Sequence, residues 1–95
     1  MAARSQLYVI AYDIADNRRR RRIAALLEER AARVQESLFE QRMSTRAAAS
    51  LFAQLQQLCA DGDSLRLYPV PDTALPRAHT YGGPAIASAC RYWLV

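Results

Sequence analysis

The sequence predicts an α+β fold in which two helices pack on one face of a mostly antiparallel sheet, in the order βαββαβ. Three observations predict it: an apolar strand near the start of the chain, two amphipathic helices separated by an extended segment, and a second strand-like run after the second helix. Two helices on one sheet face are an economical way to bury both apolar stripes. The order fits the ferredoxin-like sandwich, and 95 residues allow a single domain over residues 1–95.

The first strand is predicted at residues 7–14, LYVIAYDI, which are almost free of polar side chains. A strand that is apolar on both faces belongs in the centre of a sheet. Asp16 and Asn17 supply the chemistry of a helix N-cap. The helix that follows runs to about residue 32, and its apolar face repeats at helical spacing through Ile23, Leu26, Leu27 and Ala31.

The middle of the chain is predicted to be extended and then helical. Residues 33–43 lack a helical period and alternate between two sets of side chains, which indicates one bent strand or two short ones. Serine or threonine at 44–45 caps a second helix that runs to about residue 60, and residues 61–63 form a turn. A strand follows at 64–70. Pro69 places its end at a sheet edge or exit, because proline cannot donate a ladder hydrogen bond.

The remaining residues are predicted to form a loop at 71–76, a short strand at 79–81 and an apolar, β-prone tail. An exposed tail of this kind is an aggregation hazard. Residues 84–95 are therefore expected to add a strand to a sheet, either in this chain or in a partner.

The charge balance favours a polyanionic partner. All 13 basic side chains are arginine, and the formal net charge is +4. No apolar run reaches the roughly 20 residues that a membrane span needs, and no apolar signal core follows the first residues, so a cytoplasmic protein without a membrane partner is expected. Cys59 and Cys90 have no usual metal-ligand spacing with the single histidine and are interpreted as reduced thiols. The short chain leaves no room for a deep, enclosed pocket.

Asp13 is the first candidate functional residue. A carboxylate at the end of an apolar strand must be paired or emerge beside the next loop, because burying an unpaired charge is very costly. The functional interpretation is a metal ligand or a general base. The structural interpretation is a side chain that caps the loop or pairs with an arginine, and the local sequence leaves both open. For Asp16, the N-cap interpretation is preferred.

Five consecutive arginines occupy the predicted start of the first helix. Helix N-termini carry partial positive charge and favour anions, so five cations there repel the helix dipole and one another. Bound phosphate would relieve both penalties, because helix N-termini and guanidinium forks accept phosphate oxygens. A solvated basic face and an acidic protein partner are the alternatives. The predicted nucleic-acid contacts in this run are Arg18, Arg19, Arg20, Arg21 and Arg22.

Arg33 and Phe39 lie in the second extended segment. Taken alone, Arg33 is typical of a surface residue and Phe39 of a core residue. The functional alternative is that Phe39 stacks on a nucleic-acid base. Ser37 has no histidine nearby in the sequence, which argues against a hydrolase triad.

Three segments together resemble the small CRISPR-associated proteins of the second Cas family, often named CRISPR-associated endoribonucleases. They are YDIxDxxxRxR at 12–22, RVQxSLFE at 33–40 and LRLYPV at 65–70, and the resemblance extends over residues 7–83. It implies the ferredoxin-like fold and a homodimer in which Asp13 faces its symmetry mate. It also implies a divalent cation, normally Mg²⁺, shared between the two chains. The positions that the family associates with activity or substrate contact are Tyr12, Asp13, Arg20, Arg22, Arg33 and Phe39.

The resemblance further implies a role in spacer acquisition, in which the dimer bridges copies of the CRISPR integrase and holds a DNA duplex. A metal-dependent endonuclease site for RNA or DNA is expected at Asp13, with Tyr12 beside it and the cation activating water. Two alternatives stay open. One is a protein-interaction module without catalysis that uses the tail for β-augmentation, and the other is a toxin-like ribonuclease of similar fold.

Overall fold

A computed structural model describes residues 5–86 of the chain. The elements follow the predicted order βαββαβ, with one 3₁₀ helix after the last strand. They are β1 (Ser5–Asp13), α1 (Asn17–Arg30), β2 (Ala32–Gln35), β3 (Leu38–Ser44), α2 (Thr45–Gln57), β4 (Ser64–Val70) and the 3₁₀ helix Asp72–Arg77.

The four strands form one antiparallel sheet in the order β2-β3-β1-β4. The predicted central position of β1 is confirmed, since β1 pairs with both β3 and β4 and places Ile10 opposite Phe39 and Leu67. The position of Pro69 is confirmed as well, because β4 is an edge strand of the sheet that residues 5–86 form. This is the strand order of a ferredoxin-like fold, and the predicted fold class is confirmed.

The core lies between one face of the sheet and the two helices. Because side chains alternate along a strand, Ile10 and Tyr12 of β1 face the helices while Ala11 and Asp13 face away. The buried cluster consists of Ile10, Tyr12, Ile14, Ile23, Leu27, Phe39, Leu51 and Leu55. The predicted apolar stripes of both helices are therefore the faces that pack on the sheet.

Side-chain caps set the starts of both helices. The Asp16 carboxylate accepts from the Arg19 backbone N–H at 2.9 Å, and the Ser44 hydroxyl accepts from the Ala47 N–H at 3.0 Å. Asp16 is therefore the N-cap that the sequence predicts. The second helix ends at Gln57 rather than near residue 60, and the residues after it form a tight turn in which the Asp63 carboxylate accepts from the Ala60 N–H.

The structure settles or corrects the other segment predictions. The extended segment 33–43 is two strands joined by a turn at residues 36–37. The loop predicted at 71–76 is wrong, because Pro71 leads into the 3₁₀ helix, whose short turns tolerate Pro76. The strand predicted at 79–81 is also wrong, since residues 79–86 contain no strand. Of the tail predicted at 84–95, residues 87–95 lie outside the described residues. Among residues 5–86, no helix is long and apolar enough to cross a membrane.

Candidate functional site

A cleft of about 330 Å³ opens at the carboxyl end of β1. It forms where β1 ends, α1 begins and the turn between β2 and β3 comes close, since the Tyr12 N–H donates to the Ser37 carbonyl at 3.2 Å. Its lining residues are Tyr12, Asp13, Ile14, Arg20, Glu36 and Ser37. Two of the three segments that carry the family resemblance therefore meet at one place.

Asp13 is exposed at the end of β1, on the sheet face away from the helices and opposite Ser64 in the ladder with β4. Its carboxylate makes no hydrogen bond or ion pair with the described residues, so neither structural interpretation from the sequence, a loop cap or an arginine pair, is observed. No group of three histidine, cysteine or acidic side chains that could hold a metal ion occurs within residues 5–86. Three residues that line the cleft have side-chain oxygens that could bind a metal ion, namely Asp13, Glu36 and Ser37.

Tyr12 forms a wall of the cleft. This residue is only 7% exposed, and its hydroxyl donates to the Glu36 carbonyl at 3.1 Å. Burial is the main cause that raises the pKa of this phenol, so it stays protonated at neutral pH. Tyr12 can therefore act as a hydrogen-bond donor but not as a ready general base.

Arg20 lines the cleft. Its Nη1 donates to the Ile14 carbonyl at 2.7 Å, and its Nη2 donates to the Asn17 side chain. These bonds hold the guanidinium over the loop that follows Asp13. A phosphate in the cleft would meet a fixed cation there.

The arginine run divides into two groups in the structure. Arg18, Arg21 and Arg22 are exposed, and their side chains make no hydrogen bond with the described residues. Arg19 instead points back toward the turn before β4, where its Nε lies 2.9 Å from the Asp63 carboxylate. The five residues therefore do not form one surface, as their 100° spacing around a helix requires.

Arg33 and Phe39 are stacked behind the cleft. Phe39 is fully buried, its ring packs on Tyr12 with centroids 6.4 Å apart, and the Arg33 guanidinium lies 4.9 Å from the ring centroid. Arg33 also bonds the Glu28 carboxylate at 2.8 Å and the Glu36 carbonyl at 2.7 Å. Phe39 thus occupies the core position that its sequence pattern indicates. Stacking on a base would require its ring to leave this environment.

Three residues of this region are not predicted from the sequence to contribute. Glu36 and Ser37 reach the cleft through the turn between β2 and β3, and the motif RVQxSLFE marks their segment without assigning them a role. The sequence indicates Asp63 only as part of a turn. Its ion pair with Arg19 spans 44 positions in the chain, so no local pattern could reveal it.

Comparisons with known proteins identify a family that this chain matches. The family model of CRISPR associated protein Cas2 matches residues 6–77. A protein of Synechocystis, named CRISPR-associated endoribonuclease Cas2 3, is 42% identical over 81 residues, which cover 84% of this chain and 88% of that protein.

Two solved structures are similar as well. A hypothetical protein of Thermus thermophilus matches with a TM-score of 0.75 and 37% identity, covering 86% of this chain and 98% of that chain. A chain of a partial Cas6-RT-Cas1–Cas2 complex matches with a TM-score of 0.71 and 25% identity, covering 86% of this chain and 91% of that chain. The match spans most of the described residues and includes the cleft, and the chain belongs to the CRISPR associated protein Cas2 family.

Proposed function

We propose that this protein acts in CRISPR adaptation as a homodimeric, nucleic-acid-binding scaffold with a magnesium-dependent endonuclease site at Asp13. The observation that carries the proposal is an exposed carboxylate at the end of β1, in a cleft that Arg20 flanks, in a chain of the Cas2 family. A relative that is 42% identical is named an endoribonuclease. A similar chain stands in a complex with Cas1, which supports an integrase partner.

The sheet face away from the helices supports the homodimer. Val9, Ala11 and Leu38 share this face by register, and Tyr68 on the same face is 50% exposed. A two-fold axis across the face would bring a second Asp13 toward the first, because a symmetric interface uses the same patch on both chains. We expect the tail 84–95 to pair with the partner's sheet edge, for which β4 offers backbone groups that no strand within residues 5–86 pairs.

Magnesium fits the donors at the cleft. This ion prefers oxygen ligands, takes one or two carboxylates from a protein and keeps several waters. Asp13 is exposed enough to leave room for those waters, and Glu36 and Ser37 add only oxygen donors. When bound, the cation would lower the pKa of a water ligand and offset phosphate charge.

The residues of the chain itself would position the substrate. Arg20 would neutralise the phosphate beside Asp13, since its guanidinium is already held at the cleft by Ile14. Arg18, Arg21 and Arg22 are exposed and would bind the nucleic-acid backbone along the first turns of α1. Contacts of this kind fix the position of a duplex without reading its sequence.

A second candidate function is a bridging module for the integrase without catalysis. The observation that favours it is the similar chain that belongs to a partial Cas6-RT-Cas1–Cas2 complex. In that role the arginines would still hold DNA, and Asp13 would not be needed for chemistry.

The test compares the wild type with Asp13→Asn, which keeps the size of the side chain and removes its charge. Asp61→Asn is the matched control, because Asp61 is an exposed aspartate in the turn before β4. Cleavage of labelled RNA and of duplex DNA is measured with Mg²⁺ and with a chelator, and duplex affinity is measured at several salt concentrations.

We expect chelator-sensitive cleavage in the wild type and in Asp61→Asn, and none in Asp13→Asn. Duplex binding should persist in all three. Cleavage that survives Asp13→Asn refutes the proposed site. Absence of cleavage in the wild type, with strong duplex and integrase binding, supports the bridging function instead. If the wild type does not bind the duplex, both the endonuclease function and the bridging function are refuted.

A further inference from the structure

Asp63 carries a buried carboxylate that the proposed function does not use. Its side chain is 0% exposed, while the side chain of its partner Arg19 is 31% exposed. A buried carboxylate is very costly unless it is paired and hydrogen-bonded. The groups that donate hydrogen bonds to the Asp63 carboxylate therefore show which segments this side chain connects.

The Asp63 carboxylate joins three segments of the chain. Arg19 binds it through two nitrogens, with Nε 2.9 Å from Oδ2 and Nη2 3.2 Å from Oδ1. The Ala60 N–H donates to Oδ2 at 2.9 Å, and the Ala15 N–H donates to Oδ1 at 3.4 Å. The first turn of α1, the turn before β4 and the loop after β1 thus meet at one side chain.

This arrangement lies directly behind the candidate site. Ala15 is two residues after Asp13, and Ser64, next to Asp63, is the ladder partner of Asp13. The peptide group between Ile14 and Ala15 is held on both sides, because Arg20 donates to the Ile14 carbonyl and the Asp63 carboxylate accepts from the Ala15 N–H. Both bonds constrain the path of the chain immediately after Asp13.

We propose that Arg19 and Asp63 form a positioning clasp for Asp13, and that Arg19 is for this reason not one of the phosphate-binding arginines of the run. The proposal rests on the proposed function of the Asp13 site and assigns phosphate binding to the other arginines of the run. Asp63 and Arg19 touch no substrate in this scheme. They hold the loop that orients the carboxylate of Asp13.

The clasp also accounts for part of the charge at the start of α1. The five arginines lie in the first turns of α1, where the helix dipole already contributes partial positive charge. Asp16 caps this end, and Asp63 neutralises Arg19 beside it. The hydrogen bond from Arg19 is the main cause that lowers the pKa of Asp63 to about 2, so the carboxylate is charged throughout the neutral range.

The key comparison is Arg19→Gln against Arg21→Gln, two identical substitutions in the same run. Hydrogen exchange of the Ala15 amide, followed by NMR, reports directly on the clasp. The salt dependence of duplex binding reports on phosphate contacts. Values of kcat and KM for Mg²⁺-dependent cleavage report on the orientation of Asp13.

For Arg19→Gln we expect the Ala15 amide to exchange about tenfold faster or more, as local opening becomes easier. We expect kcat to fall by about 10- to 100-fold, the scale of a misplaced catalytic group, with KM and the salt slope nearly unchanged. For Arg21→Gln we expect unchanged Ala15 exchange and a salt slope smaller by about 0.9 for each phosphate that the side chain no longer neutralises.

Arg19→Lys keeps the charge but not the two-nitrogen fork, so it should fold and give exchange between wild type and Arg19→Gln. This variant decides the question if Arg19→Gln is too unstable to study. A salt slope that falls equally in Arg19→Gln and Arg21→Gln, with unchanged Ala15 exchange, overturns the clasp. Absence of cleavage in the wild type refutes only the nuclease function, because exchange and salt slope still decide the role of Arg19.

Discussion

Phe39 gives a sharp test of whether an aromatic residue at this site serves the core or the substrate. Its ring is fully buried, packs on Tyr12 and is covered by the Arg33 guanidinium. In Phe39→Leu the site keeps an apolar side chain but has neither of these ring interactions. An aromatic pair is worth about 0.5–1.5 kcal/mol and an exposed cation–π interaction about 0.5–1 kcal/mol. The free energy of unfolding should therefore fall by about 1–2.5 kcal/mol.

For a domain of this size, that decrease corresponds to a Tm lower by about 4–20 °C, measured by calorimetry at equal protein concentration. Phe39→Ala removes most of the side chain and should cost about 3–5 kcal/mol, which can unfold a marginally stable domain. Duplex affinity of Phe39→Leu, measured well below its Tm, should match the wild type. A variant with unchanged Tm and weaker nucleic-acid binding would refute the core role and support base stacking.

Three further outcomes are expected. Ser44→Ala removes the N-cap of α2 and should lower stability by about 0.5–2 kcal/mol in urea unfolding, while Ser44→Asp, which keeps an acceptor, should not. Asp63 has an ordinary pKa of 3.8 that is lowered to about 2 in the fold, so its stabilising effect is complete above about pH 5 and is lost progressively as the pH falls through 2. Asp63→Asn should flatten this loss of stability in acid when unfolding is measured against pH, and an unchanged profile would contradict the ion pair. Deleting residues 87–95 should lower the dimer fraction in sedimentation analysis, and an unaltered dimer would remove the tail from the interface.

Local patterns in the sequence were sufficient for most of the fold. The apolar run of β1 predicted a central strand because both faces of such a strand must be covered. Asp16 and the 44–45 pair marked helix starts, since their side chains satisfy backbone N–H groups that have no helical partner. The end of α2 was predicted about three residues too late, because the apolar spacing continues beyond Gln57 while the Asp63 carboxylate accepts from the Ala60 N–H in the turn that follows.

The candidate site was predicted in part. Asp13 was predicted as a site residue because a carboxylate at the end of an apolar strand must be paired or exposed to solvent. The structure places it exposed in a cleft. The family motif predicted Arg20 as a site residue, and the structure places it in the lining of the same cleft. Glu36 and Ser37 joined the cleft only through the pairing of β2 with β3 and the approach of their turn to β1.

The element order, the apolar faces and the abundance of arginine at one helix start were predictable, because they depend on residue type and short-range spacing. Which arginines are exposed follows from the packing of segments that are distant in the chain. Arg19 and Arg21 are two residues apart in the same run, yet Arg19 is tied to Asp63 and Arg21 faces solvent. The physical reason is that the run winds around the helix, and what each guanidinium meets depends on a turn that lies more than 40 positions away in the chain.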